Sequence, residues 1–206
     1  MKKVFLKFLK TSISLGLLAQ CTYSLDILDL TMNDETTDND LKDLPNLTSL
    51  NLTFNEVITD GGIKDLIPLT SLYLIGNKLI SDNGIRNLTN LTELALAYNN
   101  RVTDEGIKNL SKLSFLNLWD NPNITNEGIN HMTNLTNLCL NGDNRVTNEG
   151  IKHMTNLTAL SLLGNNTITN AGIEHLTNLT FLDLTYNTKI MGDGIKDLVN
   201  LRNIIR

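Results

Sequence analysis

The chain has 206 residues, of which 41% are hydrophobic and 19% charged, and its formal net charge is −5. No Pro/Gly/Ser-rich linker and no block of like charges marks a domain boundary. Proteins that bind nucleic acids normally carry a basic stripe. The interspersed charges of this chain provide none, which argues against a nucleic-acid partner.

Residues 1–24 carry four lysines in the first ten positions and no charge over residues 11–19. A basic start, a short apolar stretch and small residues near Ala19 resemble a secretory signal. The stretch is too short to span a bilayer, so we expect no stable membrane insertion. The alternative is an amphipathic N-terminal cap on the first repeat unit. The signal places the protein outside the cell or in the cell envelope, whereas the cap is compatible with the cytoplasm.

A leucine returns every 22 residues over the rest of the chain. A fixed period of this length is typical of stacked-repeat architectures. We predict a single repeat domain over residues 25–206, with eight 22-residue units and a partial ninth. The units begin at Leu25, Leu47, Leu69, Leu91, Leu113, Leu135, Leu157, Leu179 and Leu201.

The first half of each unit reads L-x-x-L-x-L-x-x-N, as at Leu91, Leu94, Leu96 and Asn99. Leu94 and Leu96 are two residues apart, so they lie on one side of a strand while Glu93 lies on the other. The asparagine follows the strand, where the chain turns inward. Its amide can both donate and accept, so it can pair with backbone groups that the turn leaves unpaired.

The second half of each unit predicts a short helix. Ile107 and Leu110 are three residues apart, a spacing that gives one apolar helix side. Thr103 before Asp104 is a suitable helix start, because its hydroxyl can cap free amides. Gly106 recurs in this half, and we place it between strand and helix. A recurrent glycine implies either a positive φ or a backbone approach too close for a Cβ.

These two patterns together resemble the leucine-rich repeat. The resemblance implies an α/β fold, a right-handed leucine-rich-repeat solenoid (horseshoe) with a concave parallel β-sheet and short convex helices. The second half is similar to the I-T-D-x-G half-repeat of the cysteine-containing subclass found in F-box adaptors. Two features differ, since asparagine replaces that subclass's cysteine and the unit is shorter. The unit length is closer to the compact repeats of bacterial surface proteins.

Side chains that alternate with the buried leucines project from the concave sheet, and several aromatic ones come from three successive units. Strands about 4.8 Å apart would join them into one patch with a polar border, the usual composition of a binding hot spot. We therefore predict a non-enzymatic protein-protein recognition module with Trp119 as its principal anchor. The alternative is that the rings only pair across strands and stiffen the sheet. The predicted site comprises Tyr73, Ile75, Tyr98, Phe115 and Trp119, bordered by Glu93, Asn117 and Asp120, with a weaker group at Leu163, Phe181 and Tyr186.

Other chemistry has little support in the sequence. His131, His153 and His175 share one helix position, but packed helices lie about 8 to 10 Å apart, too far for three imidazoles in line to bind one zinc ion. Cys139 has no neighbouring base on adjacent strands, so we expect an inert thiol. We predict no metal, no cofactor and no catalytic residue.

Two versions of the binding hypothesis remain open. A secreted or surface protein that engages a host or cell-envelope partner follows from the start of the chain. A substrate-recognition adaptor of a ubiquitin ligase follows from the second half-repeat, and an enzyme ranks below both. The last residues, 201–206, lie in the strand of the incomplete unit, so they act as a minimal cap or pair with another copy of the chain.

The asparagine column is interrupted at Asp143. An ionised carboxylate cannot donate a hydrogen bond, so we expect this turn to be the least satisfied of the series. Asp143→Asn should raise the melting temperature in a thermal unfolding experiment. An unchanged or lower melting temperature would contradict this interpretation.

Overall fold

The computed structural model describes residues 26–142 and 144–206. Residues 1–24, assigned to a signal or cap, and Asp143 therefore lie outside the described part. Within these described ranges, nine parallel strands form a single sheet in chain order. Each strand pairs with the next in a register of 22 residues, so that Leu94 lies beside Leu72 and Leu116. The strands are β1 (Ile27–Asp29), β2 (Ser49–Asn51), β3 (Ser71–Tyr73), β4 (Glu93–Ala95), β5 (Phe115–Asn117), β6 (Asn137–Cys139), β7 (Ala159–Ser161), β8 (Phe181–Asp183) and β9 (Asn203–Ile205).

A short helix follows each of the first eight strands, and each helix contacts the next one along the chain. Helices of one turn are not stable alone, so their formation depends on packing against the neighbouring units. The strands on one side and the helices on the other give the predicted leucine-rich-repeat solenoid, with the sheet on its concave face. The helices are α1 (Asp38–Lys42), α2 (Asp60–Ile63), α3 (Asp82–Ile85), α4 (Asp104–Ile107), α5 (Asn126–Ile129), α6 (Asn148–Ile151), α7 (Asn170–Ile173) and α8 (Gly192–Ile195).

The core is one continuous apolar interior between the sheet and the helices. In the fourth unit, Leu94 and Leu96 come from the strand side, and Ile107 and Leu110 come from the helix side; all four are fully buried. Each buried leucine contributes roughly 1.5 to 3 kcal/mol relative to exposure. The predicted alternation of buried and outward side chains is confirmed along β5, whereas in β4 Ala95 is buried as well.

The asparagine column closes the turns after the strands. Asn121 donates from Nδ2 to the carbonyl oxygens of Leu96 and Asn99 at 3.1 and 2.9 Å. Its Oδ1 accepts the backbone N–H groups of Asn123 and Ile124 at 3.0 and 3.1 Å. The predicted double role of the amide is confirmed, and the donated bonds link each turn to the preceding unit.

The turn of the sixth unit uses a second asparagine that the sequence analysis missed. Asn144 Oδ1 accepts the N–H of Val146 at 3.2 Å, and its Nδ2 donates to the carbonyl of Leu140 at 2.8 Å. Asn144 thus supplies an acceptor that the column residue supplies in the other units. The stability prediction for its neighbour Asp143 stays a prediction.

The recurrent glycine lies inside the short helix rather than before it, which corrects the predicted position. Gly106 is the third residue of α4. A Cβ built there would lie 2.5 Å from Oδ1 of Asp82 in the preceding unit. The positive-φ glycines of the described residues are Gly76, Gly142 and Gly164, none of which occupies this helix position. The glycine is therefore required by close approach and not by its φ angle.

The side chain that approaches the glycine joins two units. Asp82 Oδ1 accepts the N–H of Thr103 at 2.7 Å, and its Oδ2 accepts the Thr103 hydroxyl at 2.8 Å. Thr103 Oγ1 also accepts the N–H of Glu105 at 3.3 Å, which caps helix α4 as predicted. One carboxylate therefore positions the first turn of the next unit.

An asparagine replaces this aspartate in later units and reverses one of the bonds. Asn126 Oδ1 still accepts the N–H of Thr147 at 2.9 Å, but its Nδ2 donates to Thr147 Oγ1 at 2.8 Å. Thr147 then forms no side-chain cap with its own helix. Aspartate and asparagine give the same backbone contact, because each offers an Oδ1 that accepts the N–H of the threonine in the next unit.

Gly106→Ala should lower the free energy of unfolding by about 1 to 3 kcal/mol, because the new methyl group would collide with Asp82. Alanine has the higher intrinsic helix propensity, so a loss would isolate the steric effect. The matched control is Gly192→Ala, where no atom lies within 4 Å of the new Cβ. Urea unfolding followed by circular dichroism measures both variants, and equal stability of the two would contradict the close-approach explanation.

Candidate functional site

The predicted site residues lie on or directly after three adjacent strands, β3, β4 and β5. Outward side chains of the sheet occupy the third, fifth and seventh positions of each unit, which we call the concave positions. The register places Glu93 beside Phe115 at the third position and Tyr73 beside Ala95 at the fifth. Ile75 and Trp119 occupy the seventh position of their units. The register thus places on three adjacent strands, or in the turns after them, the five residues that we call the aromatic patch: Tyr73, Ile75, Tyr98, Phe115 and Trp119.

Small residues form the floor of the aromatic patch. Ala95 and Ala97 are each only 2% exposed, although both occupy concave positions. Ala95 lies between Tyr73 and Asn117 in the sheet register. Both alanines lie on the side of the strand opposite Leu94 and Leu96, as the alternation predicts, but they are buried because their neighbours on the flanking strands are larger. The larger side chains therefore rest against a solid floor.

Tyr98 and Trp119 are in ring contact at the end of the strands. Their ring centroids are 5.6 Å apart with an interplanar angle of 42°, and pairs in such geometry contribute roughly 0.5 to 1.5 kcal/mol beyond area burial. Tyr98 retains 47% exposure. The pair therefore remains partly open to solvent.

Tyr98 belongs to a column of turn residues with left-handed backbone. Its φ is +54°, and the residues at the same position in other units also have positive φ. This conformation is uncommon for bulky residues. Its recurrence shows that it is a requirement of the turn rather than a special feature of the site. The column comprises Met32, Phe54, Gly76, Tyr98, Asp120, Gly142, Gly164 and Tyr186.

Polar groups lie beside two of the aromatic side chains. The Tyr73 hydroxyl donates to Glu93 Oε2 at 2.5 Å. This bond, together with burial and the negative charge of Glu93, raises the pKa of Tyr73 to about 12. The pKa of Tyr98 is also raised, by desolvation and by the charge and hydrogen bonding of Asp120. Glu93, predicted as polar border, thus holds the Tyr73 ring in place, and Asp120 lies near the Tyr98 hydroxyl.

A recess that the sequence analysis did not identify lies beside the aromatic patch. Two phenylalanines at the third position, Phe115 and Phe181, stand three strands apart, and the residues between them are smaller. The sequence signal was present as this alternation of large and small residues at one repeat position. The recess has a volume of about 140 Å³ and is lined by Phe115, Asn137, Leu138, Cys139, Ala159, Leu160, Ser161 and Phe181.

Cys139 lies on the floor of the recess and is partly buried. Burial is the main cause that raises the pKa of its thiol. A raised pKa lowers the thiolate fraction at neutral pH, and the thiolate is the reactive species. The raised pKa of Cys139 thus disfavours its thiolate form, and its short side chain contributes to the shape of the recess.

The convex side carries the three histidines. His175 Nε2 lies 3.5 Å from Glu174 Oε1 of its own unit, and both side chains are well exposed. Across the described part of the chain, no group of three or more His, Cys, Asp or Glu side chains is arranged to hold a metal ion. Within residues 26–142 and 144–206, no helix has the length and apolar character needed to cross a bilayer.

A family model described as "Leucine Rich repeat" matches residues 43–67, 87–111, 153–176 and 175–199. The chain is a leucine-rich-repeat protein. The match does not distinguish the F-box subclass that the second half-repeat resembles. No curated protein sequence matches the chain significantly.

Two solved leucine-rich-repeat structures are similar to the chain. The crystal structure of internalin C2 from Listeria monocytogenes is 29% identical with a TM-score of 0.73, and the match covers 87% of this chain and 80% of that one. A second internalin from the same species is 24% identical with a TM-score of 0.50, covering 93% and 73% of the two chains. The second similarity concerns the fold alone.

Glu93→Gln should move the pKa of Tyr73 down from about 12 toward the ordinary value, because the substitution replaces the charged hydrogen-bond acceptor of the hydroxyl and removes the negative charge that disfavours tyrosinate. NMR detection of the tyrosine ring carbons during a pH titration measures the change, with Tyr73→Phe used to assign the signal. The signal of Tyr186, in a distant unit, is the internal control. An unchanged Tyr73 titration would contradict the assigned contact.

Proposed function

We propose that this leucine-rich-repeat protein is a non-enzymatic recognition module that binds a protein partner through its concave face. The observation that carries the proposal is the aromatic patch, in which the Tyr98 and Trp119 rings are in contact above a floor of buried alanines. Trp119 is the anchor, with Tyr73, Ile75, Tyr98 and Phe115 around it. Glu93, Asn117 and Asp120 form the polar rim.

The fixed geometry of the patch supports binding. Immobilising a flexible side chain at an interface costs about 0.5 to 1.5 kcal/mol. The Glu93 bond holds Tyr73 and the contact with Tyr98 holds Trp119 before any partner arrives. Much of this ordering cost is therefore met during folding.

The competing explanation is that the rings only stiffen the sheet. Rings with that role gain most when they are covered by their cross-strand neighbours. Tyr98 instead leaves 47% of its surface exposed, next to a tryptophan that is itself only partly covered. This exposure supports a binding role, because it leaves aromatic surface that a bound partner would cover.

We further propose that the protein acts in a secreted or cell-envelope setting and engages a host or cell-envelope protein. The basic start and apolar stretch of residues 1–24 support this compartment. The similarity to internalin C2, a bacterial protein, favours it over the role of a ubiquitin-ligase adaptor.

Trp119→Ala should weaken partner binding by about 2 kcal/mol or more, close to a thirtyfold increase in Kd, while the fold stays intact. The full chain is immobilised, bound proteins from candidate host or envelope extracts are quantified by mass spectrometry, and the Kd of the enriched protein is then measured by calorimetry.

The matched control is Met32→Ala, which removes an exposed apolar side chain four units from Trp119 and outside every predicted site. We expect this control to bind the same protein as the wild type does. Equal affinity of Trp119→Ala and wild type, with both folded by circular dichroism, would refute the assignment of the anchor.

A further inference from the structure

The recess between Phe115 and Phe181 is separate from the anchor Trp119 and has its own chemistry. We propose that it receives one aromatic or branched aliphatic side chain from a partner segment in which lysine or arginine residues flank that side chain. This inference rests on the proposed function, because it specifies the chemistry of the protein partner.

The dimensions of the recess fit a single apolar side chain. Its volume is about 140 Å³, and an apolar cavity of about 150 Å³ accommodates a benzene molecule. Three strand spacings of about 4.8 Å separate the two phenylalanine strands. Ala159 and Cys139 keep the space between those walls open because their side chains are short.

The charges of the concave face favour a basic partner segment. Among the described residues, the concave positions carry Asp29, Glu93 and Asp183 but no lysine or arginine. The basic residues of the same ranges lie elsewhere in the units, for instance Lys64, Lys108 and Lys152 after the short helices. An incoming cation would therefore meet carboxylates without a competing positive charge on this face.

Asp183 is the carboxylate best placed to select a cation at the recess. Its Oδ1 is held by the N–H and hydroxyl of Thr185 at 2.9 and 2.7 Å. Its Oδ2 lies 3.3 Å from Oγ of Ser161, a lining residue. That hydroxyl has one proton, and its shorter contact is to Asn141 Oδ1 at 2.7 Å. Asp183 Oδ2 therefore keeps acceptor capacity for a lysine or arginine.

The Cys139 thiol at the floor of the recess lies close enough to these carboxylates to be affected by their charge. After burial, the charges of Asp183 and Asp120 are among the causes that raise the pKa of Cys139. The recess therefore has a largely apolar lining beside the Asp183 carboxylate, a combination that suits an apolar side chain between basic neighbours.

Three synthetic pentapeptides test the proposal against the intact chain: Gly-Lys-Phe-Lys-Gly, Gly-Glu-Phe-Glu-Gly and Gly-Lys-Ser-Lys-Gly, each with blocked ends. Binding is followed by backbone NMR shifts. We expect the first peptide to shift the signals of Cys139, Ala159 and Ser161 and to bind at least about threefold more tightly than the other two. Equal binding of all three, or shifts confined to other units, would overturn the proposal.

Two variants examine the walls and the charge. Ala159→Phe fills the recess with a residue that the chain already carries at this position in Phe115 and Phe181, and it should weaken the Lys-Phe-Lys peptide at least about fivefold. Ser71→Phe, at the same position in the third unit, is the control and should bind as wild type. Asp183→Asn should remove the preference for Lys over Glu. Wild-type binding by Ala159→Phe, or an unchanged preference in Asp183→Asn, would overturn the proposal.

Trp119→Ala separates this inference from the function on which it rests. That variant should bind the Lys-Phe-Lys peptide as tightly as wild type, because Trp119 does not line the recess. If protein capture fails to depend on Trp119 while peptide binding depends on Ala159, only the anchor assignment is wrong. If capture depends on Trp119 while the peptide is indifferent to Ala159, only the recess assignment is wrong.

Discussion

The structure depends on one shared contact between neighbouring units, in which an aspartate or asparagine side chain receives the backbone N–H that begins the next short helix. Asp82 and Thr103 form this contact in one half of the chain, and Asn126 and Thr147 form it in the other. It fits only because Gly106 and its equivalents leave room for the side chain. The contact fixes the spacing of units on the helix side, and the strands opposite then pair in a constant register.

That constant register explains how the surface is made. Residues 22 positions apart become neighbours on the sheet. The size of each outward side chain therefore determines how much space the side chains on the two flanking strands have. Ala95 permits Tyr73 to lie against the sheet, and Ala159 leaves the opening beside Phe181. The aromatic patch and the recess are therefore two outcomes of one rule, in which large residues stand over or between small ones.

Much of this arrangement could be predicted from the sequence, because the 22-residue period and the alternation of apolar residues can be recognised within a single unit and its repeats. The strands, the buried leucines and the hydrogen bonding of Asn121 follow from such local patterns. The role of Gly106 could not be assigned, since the atom that approaches it belongs to Asp82 in the preceding unit. The same reason hid the burial of Ala95: exposure at a concave position depends on the two flanking strands and not on the strand that carries the residue.

The stacking of identical coils also has a consequence for how such a surface can change. The distance between Phe115 and Phe181 is a whole number of strand spacings, so it can grow or shrink only in steps of about 4.8 Å. Duplicating or deleting one coil between them would resize the opening by one step while leaving both walls intact. The number of repeat units between the two walls thus sets the size of the side chain that fits. Genetic recombination can change that number without any substitution in the walls themselves.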